Sequence, residues 1–166
     1  MDKTTNLHQE IIARAKSDFL QAKALLSQAL ASTPDERLNW APSPTARTPI
    51  QLAAHAAGAI KSIHEMLDGR TFEANTTAEA DQSFREWESQ FTTREPVLTL
   101  LEENSAAYLQ WLQNLTPEAL DASIELPFGS GQAPLTTALT FAPSHTNSHT
   151  AQIDYIQTIY GDRVWH

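Results

Sequence analysis

Apolar residues recur at spacings of three and four along most of the chain, the period of a helix with one buried face. The first run is Leu7, Ile11, Ala15, Phe19, Ala22, Leu26 and Ala29, with Lys, Arg, Gln and Asp between its members. It predicts a long amphipathic helix that ends near Thr33-Pro34, because a proline disfavours helix in the residue before it. The second run, Leu52, Ala56, Ile60, Ile63 and Leu67, predicts a helix from about Pro49 to Asp68. Thr48 supplies a capping hydroxyl, Pro49 fits the first helical position, and Gly69 is a stop. A third helix starts near Thr93 and runs through Val97, Leu101, Tyr108, Leu112 and Leu115, stopping before Thr116-Pro117. Glu102 and Glu103 on it read as a solvated face.

Between these runs the pattern breaks. Residues 34–49 hold four of the nine prolines and no periodicity, so they predict a loop, pinned to the bundle by Leu38 and Trp40. Arg70 to Thr93 is polar, with Phe84, Trp87 and Phe91 as anchors for a short helix near 78–90. Ile124-Glu125-Leu126-Pro127 followed by Phe128-Gly129-Ser130-Gly131 predicts a turn or small hairpin crossing between helices. A phosphate-cradling loop is excluded there, because no Lys-Ser/Thr follows the glycines.

The last helix, Ser144 to Gly161, carries the chemistry. His145, His149, Ile153, Ile156 and Tyr160 fall on one side of it, and Asp154 points the other way. Pro143 cannot donate to the carbonyl of Leu139, so it must kink this helix or start it afresh. A histidine pair at i, i+4 can bind one metal ion from adjacent turns, and a third His on a facing helix would leave a coordination position open, the catalytic arrangement. The same spacing suits two histidines with ordinary hydrogen bonds. Their place on the apolar stripe favours a shared role, since two buried imidazoles without partners are costly. His55 lies beside Leu52 and Ala56, among small neighbours that allow close approach. Taken alone it reads as a core-edge histidine bonded to a carbonyl before it reads as a ligand. His64, about half a turn round from His55, and His8 near the helix start read as surface residues.

Four substantial helices, little strand and no internal repeat predict an all-α fold, a helical bundle, in a single domain over residues 1–166. With no Cys, a metal must use His, Asp or Glu. Net charge is −9, from 20 acidic and 11 basic residues, and no basic run tracks a phosphate backbone. This argues against nucleic acid as a partner. The N-terminus MDKTTNLHQE has no apolar signal core, and no stretch approaches the roughly 20 apolar residues of a membrane span. The expectation is a soluble, cytoplasmic protein with no membrane partner. Other chemistries fail on spacing. Glu-x-x-His pairs for a di-iron bundle are absent, Asp68 replaces the second histidine of a His-Glu-x-x-His motif at His64-Glu65, and Ser130 has no nucleophile-elbow context.

Three segments together resemble the DinB/YfiT-like superfamily of four-helix, metal-binding bacterial proteins. They are Leu38-Asn39-Trp40 with the prolines after it; Thr48-Pro49-Ile50-Gln51-Leu52-Ala53-Ala54-His55; and His145-x-x-x-His149-Thr150-Ala151-Gln152-Ile153. Their order and separation span nearly the whole chain. The resemblance implies a bundle of up-down-down-up order with a hairpin-like insertion before the last helix. It also implies a divalent metal (nickel, zinc or iron) held by His55, His145 and His149, and a homodimer. Characterised members of the family use low-molecular-weight thiols in transfer and isomerisation. The resemblance therefore implies a metal-dependent S-transferase or hydrolase acting on a small molecule, the alternative being a metal-binding or dimerisation bundle without activity. The chain departs from the family pattern at Pro143, two residues before a ligand, and at Ser148, where a histidine often stands.

Overall fold

A computed structural model of the protein describes residues 3–164. Its helices are α1 (Lys3–Ser32), α2 (Pro49–Leu67), α3 (Thr77–Glu88), α4 (Arg94–Asn114), α5 (Leu135–Ala138) and α6 (Phe141–Ile159). Strands β1 (Ser123–Glu125) and β2 (Gln132–Pro134) pair antiparallel with Ile124 opposite Ala133. The predicted runs are thus the bundle helices α1, α2, α4 and α6, and the predicted hairpin precedes the last of them. Among the described residues, no helix is long and apolar enough to cross a membrane.

Hydrogen bonds at one end of the bundle give the helix directions. Arg94, the first residue of α4, donates from Nε to the Leu30 carbonyl near the end of α1 (3.0 Å). The Ile50 amide of α2 donates to the Leu38 carbonyl in the loop just after α1 (3.1 Å). Gln157, near the end of α6, donates from Nε2 to Ala29 of α1 (2.9 Å). The C-termini of α1 and α6 therefore meet the N-termini of α2 and α4, an up-down-down-up order. α1 packs on α6 and α4, and α2 packs on the same two helices from the opposite corner. Because α1 and α2 are diagonal, their connection must cross the bundle end. Leu38 in that connection is buried, and Trp40 packs edge-on against Tyr160 of α6.

α2 is the most enclosed helix. Ala53, Ala54, Ala56, Ala57 and Ala59 are buried on several faces, so α4 and α6 can approach closely. Its start is fixed by a capping box. Thr48 Oγ1 accepts from the Gln51 amide (3.3 Å) and Gln51 Oε1 accepts from the Thr48 amide (3.0 Å). Gly58 lets α3 lie against α2, since a Cβ there would stand 2.6 Å from the Trp87 ring.

α6 differs from its predicted start and stripe. Pro143 lies in the first turn, where no intrahelical donor is needed, so the helix starts afresh at Phe141 and is not kinked at His145 and His149. The buried stripe runs through Ala142, Thr146, Thr150, Ile153 and Gln157. His145 and His149 border it, half-buried. Three polar residues on the stripe rotated the period read from apolar residues alone. Gln157 is satisfied by Ala29, by Ser32 Oγ (3.2 Å) and by Thr33 Oγ1 (3.0 Å).

Two surface assignments and one core assignment need correction. His8 is only 12% exposed at its side chain and faces Asp121 across 3.7 Å. His64 is half-buried against Tyr108 and Trp111, and burial lowers its pKa. Leu7, expected on the buried stripe of α1, is instead exposed. The first turns of a long helix can outrun the core, and the apolar period does not mark where the core stops.

Candidate metal centre

The phase of α2 set by the Thr48 cap places His55 in its second turn, facing α6. The i, i+4 spacing of His145 and His149 places both rings on the adjoining edge of α6. One ring nitrogen from each of the three histidines lies within 4.8 Å of the other two. His149 Nε2 is 3.3 Å from His145 Nε2, and the His55 ring centroid lies 4.6 Å from that of His149 and 5.1 Å from that of His145. All three sequence-predicted residues are therefore brought together.

Each ring has a different second neighbour. His55 Nδ1 meets Glu88 Oε1 of α3 at 2.5 Å. Glu88 is fully buried and also takes Arg47 Nε at 2.5 Å and Arg47 Nη2 at 3.3 Å. Arg47 Nη2 also donates to Asp81 (2.8 Å); Asp81 in turn accepts from Arg85 (2.7 Å), which reaches the Thr45 carbonyl (3.2 Å). His149 Nδ1 pairs with Gln152 Oε1 at 2.7 Å. His145 Nδ1 is buried with no hydrogen-bond partner. Ser148 contributes nothing to these rings, because its hydroxyl donates to the Ser144 carbonyl of its own helix (2.9 Å). The Phe84 ring closes the site edge-on against His55 at 4.8 Å.

The electrostatics favour neutral rings. Burial pushes His145 down to about 3, and the neighbouring His149 and His55 add to it. Burial, with His55 next in effect, pushes His149 down to about 4. Burial alone would raise the Glu88 carboxyl, but hydrogen bonds from His55 and Arg47 outweigh it and hold the group below the usual carboxylate range. Neutral imidazole is the form that ligates a metal.

Sequence reasoning passed over Glu88 and Arg47. Ala80, Phe84 and Glu88 recur at i, i+4, i+8 on α3, so a carboxylate on that helix's buried stripe was the available signal. An open groove of about 520 Å³ leads to His149. Pro42, Leu52, Tyr155, Ile156 and Ile159 make its apolar wall, with Arg47, Arg85 and Gln152 as its polar members.

Comparison with known proteins bears on this geometry. The DinB superfamily model matches residues 18–153. Among solved structures the chain is similar to YfiT from Bacillus subtilis, a probable metal-dependent hydrolase with an unusual four-helix bundle topology. The TM-score is 0.71 at 19% identity, over 90% of this chain and 87% of that one. It is also similar to the colibactin self-resistance protein ClbS, solved in complex with double-stranded DNA, at TM-score 0.64 and 16% identity over 91% and 95% of the two chains. A conserved protein from Enterococcus faecalis aligns at TM-score 0.61 and 17% identity, over 98% of this chain and all (100%) of that one. At these identities the likeness shows the fold. No curated protein matches by sequence.

Proposed function

The chain belongs to the DinB superfamily, and from that premise we propose that it is a metal-dependent enzyme whose divalent ion is held by His55, His145 and His149. The observation that carries this reading is the convergence of three histidine nitrogens within 4.8 Å, from two helices far apart in sequence. The residues fit such an ion. Two nitrogens at about 2.1 Å from one tetrahedral ion stand roughly 3.4 Å apart, and His145 Nε2 and His149 Nε2 stand at 3.3 Å. A three-nitrogen set without thiolate suits zinc, nickel or iron.

Such an ion, when bound, supplies a Lewis acid that favours the ionised form of a water or thiol at neutral pH. The chain's own residues do the rest. Gln152 Oε1 accepts from His149 Nδ1–H and so leaves the Nε2 lone pair facing inward. The apolar groove wall receives the body of a small substrate and sheds water from it. Among the described residues no carboxylate lines that groove, so the ion itself would have to ionise the nucleophile, thiol or water. Either needs no further base once ionised, and the family's use of low-molecular-weight thiols supports the thiol.

The test is turnover of small thiols with electrophilic substrates by metal-loaded protein, with ester and amide hydrolysis as the parallel assay. Thiol transfer that a chelator abolishes and metal restores is expected. Hydrolysis alone would exchange the reaction while keeping the site. No turnover by fully loaded protein would leave a metal-binding bundle without catalysis.

A further inference from the structure

Among the described residues, Glu88 is the one carboxylate buried completely, and it lies against the histidine cluster on a helix whose other charged side chains are exposed. Neither composition nor packing demands it there. An unpaired carboxylate in that place would be costly, and it persists because every contact it makes is to a hydrogen-bond donor. Arg47 approaches with Nε on Oε2 and Nη2 on Oε1, two bonds in the forked geometry of a guanidinium on a carboxylate. Arg47 is in turn fixed by Asp81, and Asp81 by Arg85. The carboxylate therefore cannot turn away from the ring without breaking a chain of pairs.

The remaining contact of Oε1 is His55 Nδ1. An ionised carboxylate only accepts, so Nδ1 carries the proton, and in the neutral ring that can ligate a metal Nε2 then carries the lone pair. We propose that Glu88, held in place by Arg47, is the positioning residue of the site: it fixes His55 as the Nδ1–H tautomer, so that Nε2 faces His145 and His149. The inference rests on the metal reading of the three histidines. It extends that reading to residues outside the ligand set, and makes α3 part of the site and not a cover over it.

Removing such a partner of a ligating histidine typically weakens metal binding by about 10–100-fold. The experiment measures zinc affinity by competition with a chromophoric chelator for wild type, Glu88→Met and Arg47→Met. Alongside it, nitrogen-15 NMR of the histidine side chains in metal-free protein reads the His55 tautomer. The expected result is zinc binding by wild type, about 10–100-fold weaker binding by Glu88→Met, which has no acceptor there, a smaller loss for Arg47→Met, and an Nδ1–H signature that Glu88→Met loses. Wild-type affinity retained by Glu88→Met would overturn the positioning role and leave the metal reading standing. No zinc on wild type would overturn the metal reading, and this proposal with it. Should Glu88→Met fail to fold, the wild-type spectrum decides, because an Nε2–H tautomer at His55 overturns the proposal.

Discussion

At the scale of single residues, the site sets neutral, ligand-ready imidazoles against the cost of burying them. His145 and His149 titrate at about 3 and about 4 in the folded, metal-free chain, well below the ordinary histidine value of roughly 6.5. Below that value the unfolded chain binds protons that the native rings refuse, so stability rises with pH there. Metal-free protein should lose stability as pH falls from about 6.5 toward 4, each refused proton contributing about 1.4 kcal/mol per pH unit. Glu88 adds to the loss as pH falls from the ordinary carboxylate range toward its own depressed pKa, because there the unfolded carboxyl protonates and the native one does not. Urea unfolding in chelator at several pH values checks this. His145→Leu should flatten the slope between pH 6 and 5, and an unchanged slope would mean that the ring titrates freely.

At the scale of elements, what could be read in the sequence and what could not divides by how each residue satisfies itself. The apolar stripes of α1, α2 and α4, the Thr48-Pro49 start and the short hairpin follow from period and turn chemistry, with no knowledge of neighbours. Thr146, Thr150 and Gln157 on the core stripe of α6 read as polar, although Gln157 is buried with three acceptors supplied by the end of α1 and by Thr33 just after it. Glu88 and Arg47 were passed over for the same reason: each satisfies its charge on the other, a pairing that no sequence pattern displays. The three clustered histidines were legible through spacing and family motif, whereas the carboxylate behind His55 depended on α3 docking. That docking depends on Gly58, where the Trp87 ring leaves no room for a Cβ. Gly58→Ala should raise intrinsic helix propensity by up to about 1 kcal/mol yet loosen α3. Hydrogen exchange in α3 should quicken while α2 and α4 stay protected, and exchange unchanged in α3 would show that the ring simply shifts aside.

At the scale of the molecule, the up-down-down-up order explains how one helix pair supplies all three histidines of the site. It makes α2 and α6 neighbours despite their separation in sequence, and leads the crossing loop past the bundle end, where Arg47 enters the cluster. Net charge is −9, which opposes approach to a polyanion. ClbS, of similar fold, was solved with double-stranded DNA, so the charge argument has a direct test. No mobility shift of duplex DNA is expected near 150 mM salt, and a shift there would overturn the expectation drawn from charge. The account turns on whether the three histidines hold a metal. Metal content of purified, untagged wild type and His149→Ala, by elemental mass spectrometry after reconstitution, tests it most directly. About one equivalent in wild type and little in the variant is the predicted result. A wild type that holds no metal, or a variant that holds as much, would contradict it.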